Sequence, residues 1–321
     1  MPFNIEFLEK AAKQMNVQSV VSDFDNAKVL LEKAVKIASK RNANINPSDV
    51  DIYLHGSYAN KTNIYFPSNM EIVVELKRTP SYDPVMKPNS KYRLYNNYYV
   101  ETMLDFTPSD FMGYLFDALQ ELTENTCTVG NKFIDIPAGR GIKHTLEVTP
   151  AFTFNYIEQS DVPQMTMPEQ GIGRRTFKGI LVYDRDVVSH IVTFPKLHAR
   201  NGHAKDIATN GNFLKAVRMF KTINRIGMRE SEFQSNRGYF IQCLLFNIPN
   251  EVYVAPDLNR LFYKVLNFLL NADFEGFASQ NLVWQLFGST NEFWKLENAH
   301  RFVRDIKWLY DNFPQSRTSL V

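Results

Sequence analysis

The sequence predicts an α+β fold, a mixed α/β first lobe followed by a mainly helical second lobe. Three observations carry this. Short Ile- and Val-rich runs bounded by turn residues dominate up to about residue 195. A Gly-rich turn, Ala138-Gly139-Arg140-Gly141, sits between two such runs and marks a β-hairpin. After Thr209 the apolar residues recur at helical spacing instead. Strands first and helices later make an α+β chain, with the lobes divided at residues 1–165 and 166–321.

In chain order, Ser22 and Asp23 are a helix-start signal before residues 25–43. There Ala27, Leu30, Leu31, Ala34, Ile37 and Ala38 form an amphipathic stripe. Residues 51–54 predict a short strand, ended by the small-residue turn His55-Gly56-Ser57. Residues 69–76 predict a second strand. Thr107 and Pro108 are cap and first-turn signals for a helix to about Glu124. Residues 132–137 and 142–154 predict the two strands of the hairpin. Phe213, Val217, Phe220 and Ile223 mark the apolar stripe of a later helix, and further helices are predicted over 237–247, 257–271 and 291–312.

Composition narrows the function classes. The formal net charge of +2 on 321 residues argues against a dedicated nucleic-acid binder, though not against a local basic cleft. Cys127 and Cys243 lie far apart in apolar stretches and read as buried thiols. His190, His198 and His203 lack metal-ligand spacing. No apolar run reaches the ~20 residues of a membrane span. The first residues lack the apolar segment of a signal peptide, so a cytoplasmic protein is expected.

The chemistry-bearing pattern starts at Gly56-Ser57. Glycine lets the backbone approach phosphate oxygens, and the serine hydroxyl and free N–H groups can bond them. Asn69 and Glu71 follow, two apart and therefore on one face of their strand. Glu147, flanked by Leu146 and Val148, supplies a further acid on a later strand. Each piece alone also fits a common turn or the solvated face of a strand. Together they form an ordered pattern suited to nucleotidyl transfer, in which carboxylates hold Mg²⁺ against a phosphate.

That ordered pattern resembles the polymerase-beta-like nucleotidyltransferases, most closely the bacterial relatives of cyclic GMP-AMP synthase. The matching stretches are Gly56-Ser57-Tyr58-Ala59-Asn60-Lys61-Thr62-Asn63-Ile64 and Ser68-Asn69-Met70-Glu71-Ile72-Val73-Val74. Glu147-Val148-Thr149-Pro150 matches the third acid placed three residues before a proline. Residues 212–221, ending at Lys221, and 238–250 match two later helices. The resemblance implies a polymerase-beta-like nucleotidyltransferase core whose helical second lobe closes a nucleotide cleft. It implies an enzyme with a two-metal Mg²⁺ site, with Mn²⁺ as a substitute, that joins nucleoside triphosphates into a cyclic oligonucleotide. The implied metal set is Asn69, Glu71 and Glu147. The implied nucleotide-binding set is Gly56, Ser57 and Lys221. It further implies antiphage defence and a downstream effector protein that responds to the product.

Three departures stand out. Asn69 replaces an acid, Gly238 replaces a serine, and Gln242 replaces a glutamate. An uncharged ligand at 69 should weaken metal binding. Retention of Glu71 and Glu147 points to retained activity or an introduced Asp→Asn exchange rather than an abandoned site. Two other readings stay open: a related transferase making linear or protein-primed oligomers, with the tail from Asp311 as primer, and a nucleotide-binding protein that has lost catalysis at Asn69. Arg218, Lys221 and Arg225 share one helical face, and Lys178, Lys205, Arg174 and Arg175 are expected at the surface. The Tyr92–Tyr99 segment reads as tyrosines on a sheet edge or as a base-stacking platform.

Overall fold

The computed structural model describes residues 3–14, 17–65, 68–77, 81–82, 92–95, 98–101, 106–159, 174–186, 188–229, 238–288 and 293–313. The helices are α1 (Ile5–Ala12), α2 (Val17–Arg41), α3 (Gly56–Ala59), α4 (Pro108–Leu122), α5 (Pro195–Ala208), α6 (Asn212–Arg229), α7 (Gly238–Phe246), α8 (Leu258–Leu270) and α9 (Leu296–Asn312). The strands are β1 (Val50–Leu54), β2 (Met70–Leu76), β3 (Ser81–Tyr82), β4 (Tyr92–Tyr95), β5 (Tyr98–Glu101), β6 (Thr128–Val129), β7 (Ile134–Ile136), β8 (Leu146–Gln159), β9 (Arg174–Asp184) and β10 (Ser189–Thr193). An α+β chain with helices towards its C-terminus is what the sequence predicts.

Two compact units divide the chain. One contains residues 18–55 and 69–196, the other 1–17, 56–68 and 197–321. A single cut after residue 165 therefore misses two things. The sheet unit runs on through β9 and β10, and the short segments 1–17 and 56–68 group with the helices.

The sheet unit is built around β8. Its neighbours in order are β1, β2, β8, β7 and β6, while β9 pairs with the later part of β8 and carries β10. β2 runs parallel to β8, which needs the long crossover that contains α4. Thr107 caps α4 in a full capping box with Asp110, as its residue type predicts. Phe106 and Phe111 pack on Phe152 of β8 at ring-centroid distances of 5.9 and 6.1 Å.

Two boundaries move, and Asp23 bears on the second. Asp23 looks like a helix cap, yet α2 begins six residues before it. The buried Asp23 carboxylate instead accepts hydrogen bonds from the Lys143 and His144 backbone N–H groups at 2.7 and 3.1 Å. It also contacts His144 Nδ1 at 2.6 Å. Those N–H groups are withheld from the sheet, so β8 starts at Leu146 rather than at Ile142. The hairpin turn keeps its glycine signature, with Gly139, Arg140 and Gly141 all at positive φ.

The helical unit has one aromatic-rich core. Phe213, Val217, Phe220 and Ile223 of α6 are all fully buried in it, as their spacing predicts. Phe7 of the unpredicted α1 joins it, as does Phe3 just before the N-cap Asn4. α5 also escapes the periodicity because its buried face is polar. His198 and Asn201 make bonds there with Gln280. Both cysteines are free and buried. No described helix is long and apolar enough to cross a membrane. β4 and β5 pair as a ribbon, but the side chains of residues 92–101 lie outside the described set, as do residues 314–321 of the tail.

Candidate active site

The acidic group lies in the sheet unit. Glu71 and Glu147 stand directly opposite each other in the parallel β2–β8 pair. Opposed residues in adjacent strands project to one face, so the expected pairing is realised. Asn69 lies one residue ahead of β2, and its Nδ2 donates to Glu147 Oε1 at 2.6 Å. The strand ends are fixed by backbone bonds. Met70 N–H donates to the Thr145 carbonyl and His55 N–H to the Glu71 carbonyl, both at 2.8 Å.

Burial holds the Glu147 carboxyl above the usual range, and the charges of Glu71 and Asp135 push it further in that direction. The Asn69 N–H opposes them by stabilising the carboxylate. Asp135 was not singled out from the sequence. It stands opposite Glu147 on the other flank, in the antiparallel β7–β8 pair, and burial raises its own carboxyl. Its only sequence signal is the alternation Ile134-Asp135-Ile136 in the hairpin strand. His55 is pushed down to about 4 by burial and is therefore a neutral imidazole at pH 7.

The donors are of the right kind for Mg²⁺, which takes hard oxygens and commonly uses one or two carboxylates plus substrate phosphates. Glu71 and Glu147 meet that minimum. Among the described residues no group of three or more His, Cys, Asp or Glu is arranged to hold a metal ion alone. The nearby Asn69 presents an N–H to Glu147 where an acid would present another oxygen.

The phosphate-type group lies in the helical unit. Gly56 sits at φ 60 and opens α3, and Thr62 N–H donates to the Ser57 carbonyl at 2.9 Å. Lys221 of α6 donates to the Thr62 carbonyl at 2.6 Å. Gly56, Ser57 and Lys221 thus fall within one short hydrogen-bonded chain. Thr62 is the link the sequence reading passed over, although it lies within the Gly56–Ile64 stretch. Both later departures border it. Buried Gln242 shares a 3.5 Å contact with the Thr62 hydroxyl. A Cβ at Gly238 would stand 2.9 Å from Lys221 Cε, so any side chain there displaces the lysine.

The other basic residues separate. Arg218 is buried, Lys221 is half-buried and Arg225 is exposed, so they do not form one solvated face. Lys205 is half-buried rather than at the surface. It donates to the Ile248 carbonyl at 2.7 Å and to Asn250 Oδ1 at 3.1 Å. Desolvation lowers it to about 8. Lys178 is exposed as expected. The side chains of Arg174 and Arg175 lie outside the described residues.

Known proteins resemble this chain over most of its length. The cGAS/DncV-like nucleotidyltransferase C-terminal helical domain matches residues 200–311. A cyclic nucleotide synthase of Staphylococcus haemolyticus is 28% identical over 294 residues, covering 89% of this chain and 93% of that protein. A cyclic UMP-AMP synthase of Rhodothermus marinus is 28% identical over 270 residues, covering 83% and 86%. The solved structure of a Rhodothermus marinus c-UMP-AMP synthase with Apcpp and Upnpp has a TM-score of 0.74 at 24% identity, covering 98% of both chains. An Elizabethkingia meningoseptica cyclic dinucleotide synthase solved with GTP and Apcpp has a TM-score of 0.72 at 20% identity, covering 97% and 100%. The last two likenesses concern the fold.

Proposed function

We propose that this chain joins nucleoside triphosphates into a cyclic oligonucleotide in an Mg²⁺-dependent reaction, and that the product signals to a downstream effector protein in antiphage defence. The observation that carries the reading is the register of Glu71 against Glu147, with Asn69 bonded to Glu147. Two acids of the pattern, Glu71 and Glu147, are thereby opposed on one sheet face, which supports the reading. The relatives' names, all nucleotide synthases, support the product class.

In this reading Ser57 and the backbone after Gly56 hold the donor phosphates, and Lys221 exchanges its Thr62 carbonyl for a phosphate oxygen. Bound Mg²⁺ would polarise the phosphate and lower the pKa of the attacking hydroxyl. Glu71 and Glu147 would hold it, with the Asn69 carbonyl oxygen as a weaker ligand. Glu147, beside the metal, would also help to activate the attacking hydroxyl.

The test is incubation of the protein and its Asn69→Asp variant with Mg²⁺ and each labelled NTP and dNTP, followed by product separation. Phosphatase-resistant cyclic products from ribonucleotides support the reading. Linear or protein-linked products would move it to the related transferase. A cell-based arm compares phage resistance with and without Glu147→Gln, alongside the cognate effector. A second reading has one specific support, the Asn69 N–H spent on Glu147. It makes the chain a nucleotide-binding protein with weak turnover, recognised by nucleotide binding without product.

A further inference from the structure

Arg218 sits on α6, is 9% exposed, and bonds two backbone carbonyls from distant segments. Its Nε donates to the Ala12 carbonyl at the end of α1 at 2.5 Å, and its Nη1 donates to the Lys61 carbonyl at 2.7 Å. No ion pair with a carboxylate is present for it among the described residues. Asp206 acts on it only at longer range, and burial lowers its pKa. A guanidinium is still charged under these conditions, so a full positive charge is buried against peptide oxygens. For stability alone this is a poor use of a buried site, because desolvating a charge costs more than such bonds commonly return.

The residue it holds explains the arrangement. Lys61 has φ 56, a left-handed conformation that a side chain disfavours. That conformation turns the chain so that Lys61 N–H reaches the Tyr58 carbonyl and Thr62 N–H reaches the Ser57 carbonyl, at 3.3 and 2.9 Å. Asn60 closes the other side, with its N–H and its Nδ2 both donating to the Gly56 carbonyl. The 56–62 turn therefore closes on Gly56 and Ser57, and its strained residue is fastened from outside by Arg218. Lys221, one helical turn further along α6, fastens the next carbonyl, that of Thr62. When Lys221 leaves Thr62 for a ligand, Arg218 is the side chain of α6 that still holds the turn.

We propose that Arg218 is a positioning residue for triphosphate binding: through the Lys61 carbonyl it keeps the Gly56–Ser57 turn in its phosphate-holding shape. This rests on the reading that the turn takes phosphate. Arg218 itself touches no substrate, and its partners are both backbone oxygens, so what it transmits is loop geometry.

The experiment uses the full chain, with inorganic tripolyphosphate, ATP and adenosine as probes in Mg²⁺. Arg218→Met should weaken tripolyphosphate and ATP at least tenfold and leave adenosine within about twofold. The amides of residues 61 and 62 should exchange hydrogen faster. Arg218→Lys, which keeps a cation and one donor set, should recover most of the loss and also covers the case in which the Met variant does not fold. Adding Lys61→Gly, which removes the left-handed penalty, should recover part of what Arg218→Lys still lacks. Equal weakening of all three probes, or unchanged polyphosphate binding in a folded Arg218→Met, would overturn the proposal. Lys221→Ala and Ser57→Ala serve as the separate control. If neither weakens tripolyphosphate, the phosphate reading of the turn fails first.

Discussion

Replacing Asn69 by Asp changes one atom, yet the geometry makes it consequential. The Asn69 Nδ2 donates to Glu147 Oε1 at 2.6 Å, so Asp replaces a donor with a second anion facing the first. The lost bond to a charged group is worth about 1.5–3 kcal/mol at most, and less here because Asn69 is exposed. Two carboxylates about 4 Å apart repel by about 1 kcal/mol in water and about 4 kcal/mol at an effective dielectric of 20. Exposure favours the lower figure, so the Asp form should be less stable than the parent by about 2 kcal/mol in EDTA. A divalent cation reverses the sign, because stabilisation grows with cation concentration over its dissociation constant. The assay is thermal unfolding of both forms in EDTA and across an Mg²⁺ titration, paired with product formation. The Asp form should melt lower in EDTA, gain more from Mg²⁺ and turn over about 10²–10³ faster, the scale lost when one electrostatic contact is removed from a reacting centre. Equal Mg²⁺ response and equal turnover in the two forms would refute the argument. Residue 69 would then be a hydrogen-bond partner of Glu147 and not a metal ligand.

The remaining predictions are shorter. Glu71→Gln and Glu147→Gln in the Asn69→Asp background should each abolish product while changing the melting temperature little; wild-type turnover in either would dismiss the acidic group. Lys221→Ala should weaken triphosphate more than nucleoside by about 1.5–3 kcal/mol, read by calorimetry; equal, small effects would leave the lysine a loop anchor only. His55 is depressed to about 4 against an ordinary value near 6.5. The unfolded chain therefore binds the extra proton, and stability falls as pH drops from about 6.5 towards 4, by up to about 3 kcal/mol. His55→Asn should flatten that part of the stability curve, and an unchanged slope would assign it to other groups.

Much of the site was legible in the sequence because its determinants are local. Glu71 sits in a short Ile- and Val-rich strand that its own residues announce, Asn69 just ahead of it reaches Glu147, and Pro150 set Glu147 in register with the family pattern. Glycine at 56 answers to a positive φ that other residues avoid. What went unread depends on distant segments. Asp135 joins the acids only because β7 pairs with β8. Lys205 is drawn from the surface to the Ile248 carbonyl. Glu75 lies on the same alternating face as Glu71 but is buried with Lys196 at 2.7 Å and Thr153 at 2.6 Å, which makes it a structural ion pair.

The sequence by itself determined the α+β class, the apolar stripe of α6, the Thr107 cap and Pro108 first turn of α4 and the order of the nucleotidyltransferase-like motifs. All of these follow from periodicity or from residues a few positions apart. Only the tertiary structure decided what Asp23 and Arg218 do. A carboxylate before an apolar stripe looks like a cap, and an arginine on a helix face looks solvated. Each instead satisfies backbone groups more than a hundred residues away. Hydrogen-bond donors and acceptors carry no sequence record of their partner, so this pairing is fixed when the chain folds.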